Sequence, residues 1–290
     1  MTLAGRLRQL LAGSEAVIAP GCYDALTALL IEQAGFSCAY LGGASVAFAK
    51  LGRPDIGLTT MTEMAEVIAH ISERVDIPLI VDGDNGFGNA LNVRRTVRAY
   101  ERAGAAAIQL EDQTLPKRCG HLPGKSLIPV AEMLGKLRAA QDARASTETL
   151  IIARTDAISV DGLEAALERG AAYAEAGADV LFVESPRNHE ELTRVGQALG
   201  ARIPLLANMV EGGKTPLLSA AELGALGFRL VIFPGAMVRV LSRAGADYLS
   251  VLRRDGTTRN MLDQMNDFDA INAIIGTDAM LALGERYRDD

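Results

Sequence analysis

Short apolar runs recur along this chain, ending in Gly, Asp, Glu or Asn, and each leads into a longer stretch with helical periodicity. The runs predict strands at residues 16–19, 38–41, 78–81, 107–110, 150–153, 180–183, 204–207 and 230–233. The longer stretches predict helices near 25–34, 60–73, 92–103, 130–141, 163–176, 190–199 and 220–226, with another from about 235 to 254. Ala34-Gly35, Ala103-Gly104 and Ala176-Gly177 end three of them with the residue best suited to a left-handed cap. Strands apolar on both faces, alternating with helices, predict a parallel (β/α)8 TIM barrel over residues 1–254. The competing fold, a doubly wound open sheet, would usually open its first helix with GxGxxG, which this chain lacks.

Residues 3–11 have the spacing of an extra amphipathic helix, read as a lid ahead of the barrel. Residues 255–290 form a C-terminal helical extension, with apolar Met261, Met265, Ile271, Ile274, Ile275, Met280 and Leu283. A barrel does not need this extension, so its apolar face packs either on a neighbouring subunit or on the barrel's own underside.

Composition narrows the partners. The 290 residues are 49% hydrophobic and 22% charged, enough for one large core. A net charge of −7 argues against nucleic acid or a membrane surface, and means that an anionic substrate must be met by local cations or a metal. Cys22, Cys38 and Cys119 include no CxxC pair, so neither a zinc site nor a disulfide framework is expected, and free thiols suit the cytoplasm. No apolar stretch follows the basic N-terminus and none approaches the ~20 residues needed to span a bilayer, so neither a signal peptide nor a membrane segment is expected.

In such a barrel the chemistry sits at the C-terminal ends of the strands. Here those ends carry Gly42-Gly43-Ala44-Ser45, Asp82-Gly83-Asp84-Asn85, Glu111-Asp112, Arg154-Thr155-Asp156, Glu184 and Asn208-Met209-Val210-Glu211. Asp82, Asp84 and Glu111 on adjacent strands would repel one another without a partner. A hard divalent cation, Mg2+ or Mn2+, resolves that conflict while leaving positions for water and substrate oxygens. The competing reading is helix capping, or pairing with Arg154. The bare backbone at Gly42, Gly43 and Ala44 could cradle a carboxylate or simply make a tight turn. Arg154 has the fork to clamp two carboxylate oxygens, or to pair with nearby acids.

Lys117-Arg118-Cys119-Gly120-His121-Leu122-Pro123-Gly124-Lys125 is poor core material and reads as a mobile polar loop at the mouth of a site. Cations beside Cys119 would lower its pKa and suit it to proton transfer; the competing reading is a solvated basic loop. Cys22 and Cys38 read as packing residues, and His70 and His189 as surface or cap residues.

These strings, with Leu51-Gly52-Arg53-Pro54-Asp55 and Asn208-Met209-Val210-Glu211-Gly212-Gly213-Lys214-Thr215-Pro216, resemble the isocitrate lyase and phosphoenolpyruvate mutase superfamily across essentially the whole chain. They are most similar to its branch of 2,3-dimethylmalate and 2-methylisocitrate lyases. The resemblance implies a Mg2+-dependent carbon–carbon lyase acting on a di- or tricarboxylate through a pyruvate-like enolate. It implies a helix-swapped homotetramer, a dimer of dimers. Metal would be held by Asp82 or Asp84, with Glu111 and Asp55 acting through waters. The catalytic set would be Cys119, His121, Arg154 and Glu184, with Cys119 as the acid for the departing carbanion. Tyr40, Gly42, Gly43, Ala44, Ser45, Gly120, Asn208 and Arg239 would bind substrate. Two positions depart from the family pattern: Gly42 stands where Ser is usual, and Asn85 where Thr or His is. Oxaloacetate hydrolysis or decarboxylation, phosphonate mutation and non-catalytic dicarboxylate binding remain as competing functions.

Overall fold

The eight apolar runs pair in sequence order in the computed structural model, which describes residues 1–120 and 122–288. The strands are β1 (Val17–Cys22), β2 (Ala39–Leu41), β3 (Leu79–Asp82), β4 (Ala107–Glu111), β5 (Leu150–Thr155), β6 (Val180–Val183), β7 (Leu205–Asn208) and β8 (Phe228–Phe233). All neighbours are parallel, and β8 pairs back onto β1 to close the barrel. Several strands run one to three residues beyond the apolar stretch that announces them. Ladder hydrogen bonds depend on backbone rather than side-chain polarity, so Cys22, Asp82, Glu111, Thr155 and Asn208 end strands rather than begin loops.

The helices are α1 (Leu3–Leu11), α2 (Ala25–Gln33), α3 (Gly43–Val46), α4 (Met61–Arg74), α5 (Ala90–Ala103), α6 (Val130–Ala143), α7 (Leu163–Glu175), α8 (His189–Leu199), α9 (Ala220–Ala225), α10 (Ala236–Asp255), α11 (Phe268–Ile275) and α12 (Thr277–Glu285). The short α3 and the π turn that follows it, Ala47–Leu51, carry no periodicity long enough to be legible in the sequence.

Helix α1 is a plug rather than a lid over the site. Its Ala4, Leu7 and Leu11 share one buried cluster with Cys38, Ala106, Leu150 and Val180, which lie at the beginnings of strands. Arg8 fastens it from outside, donating to Asp179 Oδ1 at 2.8 Å and to the Glu148 carbonyl at 2.8 Å. One mouth of the barrel is thereby closed with apolar side chains, and polar groups gather at the other.

The chain divides into two compact units, Met1–Val238 and Arg239–Asp290. The division falls inside α10, where the periodicity alone suggested an end near residue 254. No residue of α10, α11 or α12 is buried. Large apolar side chains such as Val240, Leu249, Phe268 and Met280 are exposed.

Candidate active site

The polar strand ends build one buried network of acids and cations. Asp82 ends β3 and is held by three donors: Oδ1 accepts from the Asp84 amide at 3.0 Å and from Gln109 Nε2 at 3.1 Å, and Oδ2 from the Gly43 amide at 3.3 Å. Gln109 in turn accepts from the Tyr40 hydroxyl at 2.9 Å. Burial and the neighbouring Asp82 hold the Tyr40 phenol well above its ordinary pKa, so it stays a neutral donor. Gln109 is fully buried in the middle of an apolar strand. Its misplaced polarity in Ala-Ile-Gln-Leu-Glu was a signal of function that the sequence reading passed over.

Asp84 follows in the left-handed region, with φ +47°, a conformation that costs a non-glycine residue free energy. Several bonds hold it there. The Glu111 amide donates to the Asp84 carbonyl at 2.9 Å, and buried Lys136 donates to the Asn85 carbonyl at 3.0 Å. Burial pushes the Asp84 carboxyl up to about 7; Lys117 opposes this, while Asp82 and Asp55 add to it. Burial likewise holds Glu111 well above the usual carboxylate range.

The acids are not left to repel one another, as their spacing in sequence suggested. Lys117 Nζ lies 2.5 Å from Asp55 Oδ1 and 2.6 Å from Asp84 Oδ1, and the lysine is only 4% exposed. Arg154 Nη1 lies 3.3 Å from Glu111 Oε2. The Arg154 fork closes on Asp156, the residue just past its own strand, with Nε at 2.9 Å and Nη2 at 3.0 Å from the two carboxylate oxygens. Its Nη2 also faces Glu184 Oε2 at 3.5 Å, and its guanidinium stacks 5.1 Å from the Phe182 ring centre. Burial pushes Asp156 upward, but Arg154 and Lys125 outweigh it and keep the carboxylate ionised below its ordinary pKa.

The loop after β4 turns Lys117, Gly120 and the Lys125 side chain inward, while Arg118, Leu122, Pro123 and Gly124 stay exposed. At its base the Thr114 amide donates to the Ser126 carbonyl at 2.9 Å. Lys125 Nζ lies 2.7 Å from Asp156 Oδ1, nearly without exposure, and also donates to the Gly120 carbonyl. The Cys119 amide donates to the Asp55 carbonyl at 3.2 Å. Gly120 is wedged against the strand ends: a Cβ there would lie 2.6 Å from Arg154 Nη2 and 2.7 Å from Glu184 Cγ. Only glycine lets the loop come this close. His121 lies outside the described residues. Cys119 is half-buried, whereas Cys22 and Cys38 are fully buried and burial pushes both thiols up, Cys38 to about 12.

The other candidates fall as follows. The Asn208 amide donates to Glu184 Oε2 at 3.1 Å, and its Oδ1 is buried without a hydrogen-bond partner. Gly42 caps α3, and Gly43 offers its amide to Asp82 rather than to an open nest. Ala44 lies in α3, and Ser45 donates its hydroxyl to the Pro234 carbonyl at 2.8 Å. Arg239 opens the second unit, on α10. Lys117 and Lys125 were read only as loop cations, and nothing in a basic loop reveals which lysines fold inward.

Among the described residues, no group of three or more His, Cys, Asp or Glu side chains stands so as to hold a metal ion unaided. The donor chemistry nonetheless fits Mg2+, which keeps several waters and needs only one or two carboxylates. Glu111 Oε1 is buried without a hydrogen-bond partner, and the nearest charge to Asp84 Oδ1 is a lysine ammonium.

The raised carboxyl groups give the metal-free protein a distinctive pH dependence. In the unfolded chain Asp84 would titrate near 4; folded, it titrates at about 7. The folded state therefore binds the proton more tightly, and its stability rises as pH falls through that interval. Thermal melts in EDTA should move upward as pH is lowered from about 8 to 5.5, and Asp84→Asn should flatten the trend. A melting point that falls over this window in the wild type would contradict the assignment.

A family model described as phosphoenolpyruvate phosphomutase matches residues 7–252. The chain belongs to this family. The 2,3-dimethylmalate lyase of Eubacterium barkeri is 46% identical over 99% of both chains. The 2-methylisocitrate lyase of Aeropyrum pernix is also 46% identical, over 89% of this chain and 82% of the relative. A solved structure of oxaloacetate acetylhydrolase with 3,3-difluorooxalacetate superposes with TM-score 0.92 and 35% identity, covering 100% of this chain and 99% of that one. A phosphonopyruvate hydrolase complex with oxalate and Mg2+ superposes with TM-score 0.90 and 33% identity, over 99% of each chain. The chain is an enzyme of the isocitrate lyase and phosphoenolpyruvate mutase superfamily, a carbon–carbon lyase.

Proposed function

We propose that this enzyme cleaves a 2-alkylmalate or 2-methylisocitrate-like 2-hydroxy acid, with Mg2+, to pyruvate and a second carboxylate. The observation that carries the reading is the inward fold of the Cys119 loop, with Gly120 seated on Arg154 and Glu184. Identity to lyases of both substrate types supports it.

Asp82, Asp84, Glu111 and Asp55 would hold the metal, directly or through water. When bound, a divalent cation would lower the pKa of the substrate's C2 hydroxyl and stabilise charge on the pyruvate being formed. Arg154 would hold the substrate's C1 carboxylate with the charge it now shares among Glu111, Asp156 and Glu184. The Ala44 amide would add to that grip, and the Gly43 amide would do so only by leaving Asp82 Oδ2, to which it donates at 3.3 Å. Tyr40 keeps Gln109, and through it Asp82, in place. The second carboxylate would lie near Asn208 and Glu184, where Asn208 Oδ1 is still without a partner; a part for His121 rests on the resemblance alone. The C2 hydroxyl would give its proton to one of the strand-end carboxylates and its oxygen's electron pair would form the C=O of pyruvate; as the C2–C3 bond breaks, that bond's pair would pass to C3, and the Cys119 thiol would give a proton to that carbon. The folded-in loop excludes water that would otherwise compete.

The exposed apolar residues of α10, α11 and α12 support assembly, read here as a dimer of dimers with exchanged helices. Among the described residues no helix is long and apolar enough to cross a membrane. The three free thiols favour the cytoplasm.

The test is a product assay by proton NMR with Mg2+, with and without EDTA, on 2,3-dimethylmalate, 2-methylisocitrate, isocitrate, citramalate and oxaloacetate. Pyruvate should form from at least one malate-type acid and disappear with EDTA. Turnover of oxaloacetate alone would move the enzyme to the hydrolase or decarboxylase chemistry, with oxalate or pyruvate deciding which.

A further inference from the structure

A buried acid stands behind the polar mouth of the barrel, against the helices that surround it. Asp112 follows Glu111 directly, and the two side chains part as alternation along an extended chain requires. Glu111 faces Arg154, whereas the Asp112 carboxylate lies against α7 and is fully buried. Its Oδ2 accepts from the Tyr173 and Thr155 hydroxyls, both at 2.8 Å, and from Arg169 Nη1 at 3.1 Å. Its Oδ1 accepts from the Asp156 backbone amide at 3.0 Å. Arg169 Nη1 also donates to the Tyr173 hydroxyl at 3.2 Å and to the Ile128 carbonyl at 3.0 Å, so the cluster is held from several sides.

The bond to the Asp156 amide reaches the chemistry. Asp156 lies just past the end of β5, where ladder bonds no longer fix the backbone. The Asp112 side chain fixes it instead. The Asp156 carboxylate in turn holds Arg154 through Nε at 2.9 Å and Nη2 at 3.0 Å. Packing alone would be served as well by apolar residues of similar volume, because burying an ion pair carries a desolvation cost.

We propose that Asp112, held by Tyr173 and Arg169 on α7, is a positioning residue that sets the place of Asp156 and thereby the aim of the Arg154 guanidinium. This role rests on the reading of Arg154 as the grip on the substrate's C1 carboxylate, and adds the group that aims it. Aim matters there, since about 1 Å of misplacement costs about 10²-fold in rate. Asp112 acts from behind the site, through Asp156 and Arg154.

Oxalate, with Mg2+ present, probes the carboxylate grip without turnover. Its affinity, read by calorimetry, should fall about tenfold in Tyr173→Phe and about 10²-fold in Asp112→Asn. Phenylalanine removes one donor and keeps the ring, whereas asparagine turns an NH2 group toward groups that themselves donate. Urea unfolding at the same temperature keeps lost stability apart from lost affinity. The deciding measurement is a double-mutant cycle. In an Arg154→Lys background, Tyr173→Phe should weaken oxalate by less than about twofold, because the aim it supports is already gone.

Unchanged oxalate affinity in both variants, with only the unfolding midpoint lowered, would make the cluster structural and overturn the proposal. A full tenfold loss repeated in the Arg154→Lys background would show another route, and would overturn it too. Should Asp112→Asn not fold, the Tyr173→Phe cycle decides alone. If the wild type does not bind oxalate, or Arg154→Lys binds it as tightly, the Arg154 reading falls and the positioning role falls with it.

Discussion

Arg154→Lys should lower kcat/KM for the cleaved acid by about 10²–10³-fold, although charge is conserved. The reason lies in the geometry of the guanidinium. Arg154 meets Asp156 with two parallel bonds while facing Glu111 and Glu184 at 3.3 and 3.5 Å. A lysine supplies one point of charge and cannot maintain a fork to Asp156 while reaching a substrate carboxylate. Arg154→Met should cost more, because it strands buried carboxylates: roughly 3–5 kcal/mol of stability in addition to activity. Steady-state kinetics beside urea unfolding separates the two effects. If Arg154 only balances charge in the fold, Lys will retain most of the turnover; if it grips the substrate, Lys will unfold near the wild-type midpoint yet work poorly.

The barrel was legible because its signal is repeated and local. Each apolar run is short, and each gives way to a glycine, a proline or a polar residue that breaks the apolar pattern. Three helices stop at an Ala-Gly pair, and Gly35, Gly104 and Gly177 all adopt positive φ. The positions of Asp82, Glu111, Arg154 and Asn208 at strand ends followed from that rhythm, since a barrel delivers every strand end to the same face. The partners of those residues did not follow. Whether Arg154 pairs with Asp156 two residues away depends on which side of the strand each rotamer leans. Whether a loop lysine turns inward depends on the potential created by four acids on other elements. Such a balance is set by three-dimensional proximity, which a run of basic residues does not encode. Gln109 is the instructive omission. A glutamine at the centre of a buried strand contradicts its surroundings and had to be answered by polar partners, Tyr40 and Asp82.

The boundary within α10 has a similar origin. Helical periodicity runs unbroken to Asp255, so sequence alone attaches the whole helix to the eighth unit. The compact unit nevertheless ends at Val238, because packing between distant parts of the chain and not helicity defines it.

Cys119→Ala should reduce carbon–carbon cleavage by about 10²–10⁴-fold while leaving Mg2+ binding and the melting point near wild type. Breaking the C2–C3 bond leaves an electron pair on a carbon next to a carboxylate, and product release waits until that carbon is protonated. Water excluded by the folded loop is a poor substitute for a positioned thiol. The side chain of Cys119 is only half-buried, so removing its sulfur opens no core cavity and should not disturb the barrel. Cys119→Ser adds a sharper test. Serine keeps the size and the donor, but its hydroxyl is far less acidic, so an acid catalyst should be impaired by this change nearly as much as by alanine. A residue needed only to shape the loop would be rescued by serine. Rapid-quench analysis would locate the defect: with the acid gone, the chemical step itself should become slow and any burst of pyruvate in the wild type should vanish. Full activity in Cys119→Ala would remove the thiol from the mechanism and shift the proton to another group at the mouth of the barrel.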